Sequence, residues 1–133
     1  LKFPDNAVIK FFFKEHLHEK CGKVLAVAND EIDLTNVEGF VEIKPNTTEA
    51  AKEKHIPVVT RVGNLVRVSV GEVTHPMLDN HYIGWVILQT KFGNQRRELH
   101  PGQEPVVEFA LVDGDEVINA ISYCNLHGLW AIK

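Results

Sequence analysis

The chain has 133 residues, 44% of them hydrophobic and 24% charged, with a formal net charge of −4 at pH 7. That is enough for one core and a small appended unit. With no block of like charges, the composition argues against a nucleic-acid or anionic-membrane partner. No apolar run approaches the roughly 20 residues that span a bilayer. The opening Leu1-Lys2-Phe3-Pro4 lacks the apolar h-region of a secretory signal. Two cysteines, Cys21 and Cys124, make no secreted disulfide framework, so a reducing cytoplasm is the expected location. Because the chain opens on Leu1 and not Met, further residues are expected in front.

Taken in order, residues 1–45 form a first region. It holds an apolar run over Ala7–Phe13, a short strand over Lys23–Ala28 and another over Phe40–Ile43. Pro45–Thr48 reads as a linker, and Glu49–Glu53 as one helical turn ahead of His55. From Ile56 the pattern turns to β. Gly63-Asn64 is a two-residue hairpin signal between Ile56–Val59 and the alternating run Leu65–Val70. The device recurs where Gly93-Asn94 separates Ile83–Phe92 from Gln95–Leu99, and where Asp113-Gly114 separates Val106–Val112 from Glu116–Tyr123. Pro101–Pro105 reads as a connection between hairpins. This spacing predicts an antiparallel sandwich of about seven strands. Tyr82, Trp85 and Ile87 mix the two faces, and their directions are left unassigned.

The chemistry-bearing residues fall into three clusters: Glu53-Lys54-His55, His75-Pro76-Met77-Leu78-Asp79-Asn80-His81 and Cys124-Asn125-Leu126-His127-Gly128-Leu129-Trp130. A lone histidine at a strand end is ordinarily a surface or core residue, and His100 stays in that class. His55, His75, His81 and His127 each stand at a strand boundary, where a loop can aim them at a shared point. Pro76 favours a compact loop between His75 and His81. Cys124 and His127, three apart, can reach one metal from a tight turn, which Gly128 lets the chain leave at an unusual angle. Five nitrogen and sulfur donors exceed the zinc tetrahedron. Blue copper would leave two histidines idle, and the sole methionine, Met77, stands beside His75 instead of following the cysteine. Iron accommodates four imidazoles with a thiolate and keeps one position open.

At this point the motifs Glu53-Lys54-His55-Ile56-Pro57-Val58, His75-Pro76-Met77, His81-Tyr82-Ile83 and Cys124–Trp130 resemble the superoxide reductases of the desulfoferrodoxin and neelaredoxin family. The resemblance covers residues 48–133. It implies an all-β, immunoglobulin-like antiparallel sandwich around one mononuclear iron. The implied ligands are His55, His75, His81 and His127 with Cys124 axial, Glu53 joining as a sixth ligand in the ferric state and Lys54 near the open position. The implied reaction is one-electron reduction of superoxide to hydrogen peroxide, without dismutation, fed by a rubredoxin-like donor; separately, a homodimer is expected. A thiolate opposite the open position would donate electron density to the metal, and the metal should keep Cys124 deprotonated. Substrate is an anion and the chain is net negative, so attraction must be local.

Two-iron members carry an N-terminal desulforedoxin-like unit with iron on four cysteines. Here the equivalent stretch reads His18-Glu19-Lys20-Cys21-Gly22, and with Cys124 committed only Cys21 remains, which rules that site out by count. Residues 1–47 are therefore expected to be a vestige without metal, a packing or dimer-forming extension in which His16, His18 and Cys21 hold no resident ion. Residues 48–133 carry the iron domain. Two other readings stand beside this one: a copper electron-transfer protein on a cupredoxin-like sandwich, and an immunoglobulin-like binding module with incidental histidines.

Overall fold

A computed structural model of the chain describes residues 9–14, 24–27, 34–37 and 39–132; His16, His18 and Cys21 lie outside them. The chain divides into two compact units, one within Lys2–Lys44 and the other formed by Pro45–Lys133. In the smaller unit, β1 (Lys10–Lys14), β2 (Val24–Val27) and β3 (Phe40–Ile43) form an antiparallel sheet in the order β2-β1-β3. A 3-10 turn spans Leu34–Asn36, and Phe11 and Phe12 of β1 are buried.

The larger unit begins with one helical turn, α1 (Lys52–His55), and continues through seven strands. These are β4 (Pro57–Val62), β5 (Leu65–Val70), β6 (Ile83–Thr90), β7 (Gly93–Glu98), β8 (Val106–Ala110), β9 (Val117–Cys124) and β10 (Gly128–Ala131). They make two antiparallel sheets, β4-β5-β8 and β10-β9-β6-β7. The period-2 pattern of β5 turns Val66, Val68 and Val70 inward. Val107 and Phe109 of β8 join them, and Val86, Leu88, Ala120 and Cys124 come from the opposite sheet. The all-β sandwich expected from turn spacing is the fold of this unit.

The helical turn spans Lys52–His55 and not Glu49–Glu53, so that it carries His55 itself. The hairpin at Gly63-Asn64 forms where expected, with Gly63 at φ +60°. The β6–β7 turn does not fall on Gly93-Asn94. It is Lys91-Phe92, with Thr90 paired to Gly93, because the buried Asp115 carboxylate takes Thr90 Oγ1 at 2.8 Å and the Phe92 amide at 3.1 Å. Asp113-Gly114 does mark a chain reversal, but it joins β8 to β9 across the two sheets and closes no hairpin. Nor is Pro45–Thr48 a slack linker. Asn46, at φ +63°, donates its backbone N–H to Leu129 O at 2.9 Å, and its side chain meets the Ala131 carbonyl and amide at 2.9 and 3.0 Å.

Candidate metal centre

Every candidate donor of the three clusters lies at one end of the sandwich. His55 is the last residue of α1, one residue short of β4. His75 lies in the connection after β5, and His81 closes a tight loop through a bridge with Leu78 just before β6. Cys124 ends β9, and His127 stands in the turn to β10. One sheet thus delivers His55 and His75, and the other delivers His81, Cys124 and His127. The two sets are tied where Ser122 Oγ donates to His55 O at 3.2 Å.

The four imidazoles form a closed ring. Successive centroids are 4.7 Å (His55–His75), 4.6 Å (His75–His81), 5.1 Å (His81–His127) and 4.9 Å (His127–His55) apart, each pair edge-on. The diagonal His55–His81 is 6.4 Å. Half of that diagonal, about 3.2 Å, leaves about one imidazole radius beyond a metal–nitrogen bond of roughly 2.0–2.1 Å. His55 Nε2 is 3.2 Å from His75 Nε2 and 3.1 Å from His127 Nδ1. Donor atoms of His55, His81, Cys124 and His127 all lie within 4.8 Å of one another, and Cys124 Sγ is 4.0 Å from His127 Nδ1. Ring nitrogens packed this closely repel each other's lone pairs unless a cation sits among them. His81 Nε2 is buried with no hydrogen-bond partner, a cost that metal ligation would remove.

The outer nitrogens say which way the rings are held. His55 Nδ1 lies 2.6 Å from Ala51 O and His75 Nδ1 2.6 Å from Pro76 O. Both contacts place a proton on Nδ1 and leave Nε2 a lone pair for a metal. Trp130 stacks on His55 at 4.8 Å and donates Nε1–H to His127 O at 3.1 Å, so it packs on one ring and holds the backbone of another ligand. Without metal, burial is the main force lowering the pKa values of His55, His75 and His81, and it holds His75 down at about 4. The charges of His127 and Lys54 add to the effect at His81. Burial also pushes the Cys124 thiol up. At neutral pH the three imidazoles are therefore ready to bind, whereas Cys124 must release a proton to do so.

Glu53 and Lys54 are exposed on α1, and Glu53 is not among the converging donors. Their backbone is fixed nonetheless: Val73 N–H donates to Glu53 O at 2.8 Å. Gly71, at φ +86°, packs so closely on Lys54 that a Cβ would stand 2.7 Å from its carbonyl. Neither Gly71, Ser122 nor Asn125 was singled out by the sequence reading, although Asn125 lies inside a recognised motif. Met77 lends its sulfur to the Ile83 amide, which donates to it at 3.3 Å. Five converging donors with no thioether do not make a blue-copper set, and their convergence is not incidental. Neither alternative reading finds support. His100 is exposed, its amide bonded to Gln103 Oε1.

Similarity to known proteins points the same way. A Desulfoferrodoxin family model matches residues 47–133. A desulfoferrodoxin homolog of Archaeoglobus fulgidus is 46% identical over 91 residues, 68% of this chain and 70% of that protein. The desulfoferrodoxin of Clostridium acetobutylicum is 42% identical over 108 residues, 80% of this chain and 84% of its own length. Among solved structures, the superoxide reductase of Treponema pallidum superposes with a TM-score of 0.76 at 39% identity, covering 95% of this chain and 99% of that one.

Proposed function

Since the chain belongs to the desulfoferrodoxin family, we propose that it is a superoxide reductase built on one mononuclear iron. The observation that carries this reading is the closed ring of four imidazoles with the Cys124 thiol beside it. His55, His75 and His81 would bind through Nε2, His127 through Nδ1, and Cys124 through its thiolate. Iron held there supplies one-electron chemistry and a position free to meet substrate. The reaction consumes one superoxide, one electron and two protons and forms one hydrogen peroxide. The electron comes from outside the iron domain, from a rubredoxin-like protein.

The chain's own residues prepare that exchange. Backbone carbonyls at Ala51 and Pro76 fix the tautomers of His55 and His75. Trp130 excludes water from one side of His55. Lys54, exposed on α1, would draw the anion toward the centre, and Glu53, its backbone tied to Val73, would offer its carboxylate to the metal by turning its side chain. Residues 1–47 act as a packing or dimer-forming extension that has lost a four-thiolate iron. Of the described residues, no helix is long and apolar enough to cross a membrane, and a cytoplasmic setting suits the free thiol of Cys124.

Metal analysis combined with superoxide pulses tests the reading. The expected result is about one iron per chain and one peroxide per superoxide, with no oxygen evolved. Half a peroxide with oxygen would mean dismutation, and a protein that takes up no iron would end the proposal.

A further inference from the structure

We propose that Asn125 is a positioning residue for the metal centre, holding the loop that carries His81 against the turn that carries Cys124 and His127. The inference rests on the metal-centre reading above. Asn125 makes three hydrogen bonds across the gap between these two segments. Its Oδ1 accepts from Tyr82 N–H at 2.9 Å, its Nδ2 donates to Asn80 O at 3.0 Å, and its backbone N–H donates to Tyr82 O at 3.2 Å. The side-chain amide thus grips the loop on both sides of His81.

His81 lacks the fixing contact that two of the other histidines have. His55 and His75 are each fixed by a backbone carbonyl 2.6 Å from Nδ1. His81 has no such acceptor among the described residues, and its Nε2 is without a partner. Its loop is open to solvent: Leu78, Asp79 and Asn80 are all exposed. The two backbone bonds within it, Leu78 N–H to His81 O at 2.9 Å and the reverse at 3.2 Å, shape the loop without attaching it to anything. Attachment comes from Asn125, supported by Met77 through Ile83 N–H and Gly102 N–H. With the amide removed, the fourth imidazole is presented by a loop free to drift, and a metal site loses affinity when an orienting partner goes. Such losses run to about 10–100-fold.

Cobalt(II) titration of the metal-free full chain, followed by its visible spectrum, tests this. Asn125→Ala should weaken binding about 10–100-fold and dim the thiolate charge-transfer band. Asn125→Asp keeps the acceptor for Tyr82 N–H but not the donor to Asn80 O, and should recover part of the loss. If Asn125 acts through His81, adding Asn125→Ala to His81→Ala should cost nothing further. Hydrogen exchange at the Tyr82 amide of the metal-free protein should also be faster in Asn125→Ala. Wild-type affinity with an equally protected Tyr82 amide would overturn the proposal, as would additive losses in the double variant. Should Asn125→Ala fail to fold, Asn125→Asp decides alone, and wild-type affinity there overturns it. If His81→Ala itself leaves binding unchanged, the metal-centre reading fails instead.

Discussion

At the scale of single residues, the centre is built from groups whose burial prepares them for a cation. An imidazole in a desolvated cluster resists protonation, and His75 shows this most strongly, with a pKa of about 4 in the metal-free protein. The unfolded chain binds that proton near pH 6.5 and the folded chain does not, so stability rises with pH between those values. Stability contributed by His75 is complete above pH 6.5 and lost as pH falls toward 4. The shift corresponds to a contribution on the order of 3 kcal/mol. Urea denaturation of the metal-free protein should show a steep loss over this window, and His75→Gln should flatten it. An unchanged slope in that variant would mean that His75 is not desolvated as described. The ligand types were legible in the sequence because imidazole and thiolate at strand boundaries have few other uses in such number. Asn125 was not, since nothing local distinguishes a bridging asparagine from a turn residue.

At the scale of elements, turns that look incidental do the positioning. The Gly71–Thr74 turn binds the backbone of α1 and leads into His75, and Gly71 is required there twice, by φ +86° and by space. A Cβ would collide with Val73 O and stand 2.7 Å from the Lys54 backbone. Gly71→Ala should therefore cost about 1–3 kcal/mol, and displacing α1 should also weaken metal binding. Gly63→Ala has open space around it and should cost only the left-handed strain, about 1–2 kcal/mol, with metal binding intact. Thermal melts and cobalt titrations of the two variants, side by side, decide whether Gly71 supports the site. The β6–β7 turn teaches the opposite lesson about legibility. Gly93-Asn94 has the local chemistry of a hairpin, yet the turn forms two residues earlier because Asp115, distant in sequence, binds Thr90 and the Phe92 amide.

At the scale of the whole molecule, a chain of net charge −4 has to meet an anion, so long-range attraction is not available and the local field must serve. A unit charge at roughly 7 Å in water is worth about 0.6 kcal/mol, near threefold in local concentration. Lys54→Ala should slow the reaction of reduced protein with superoxide by about that factor at low ionic strength, and the difference should shrink as salt is added. Equal rates across the salt range would remove Lys54 from the mechanism. The sequence by itself determined the β class of the larger unit and the donor types. Strand alternation and hairpin turns are local signals, and a cluster of unusual ligands is visible without coordinates. Only the tertiary structure decided that the donors meet, because His55 and His127 lie 72 residues apart in the chain. Which nitrogen each histidine turns inward, and what steadies the loop of His81, depends likewise on carbonyls and amides contributed from other segments once the two sheets have packed.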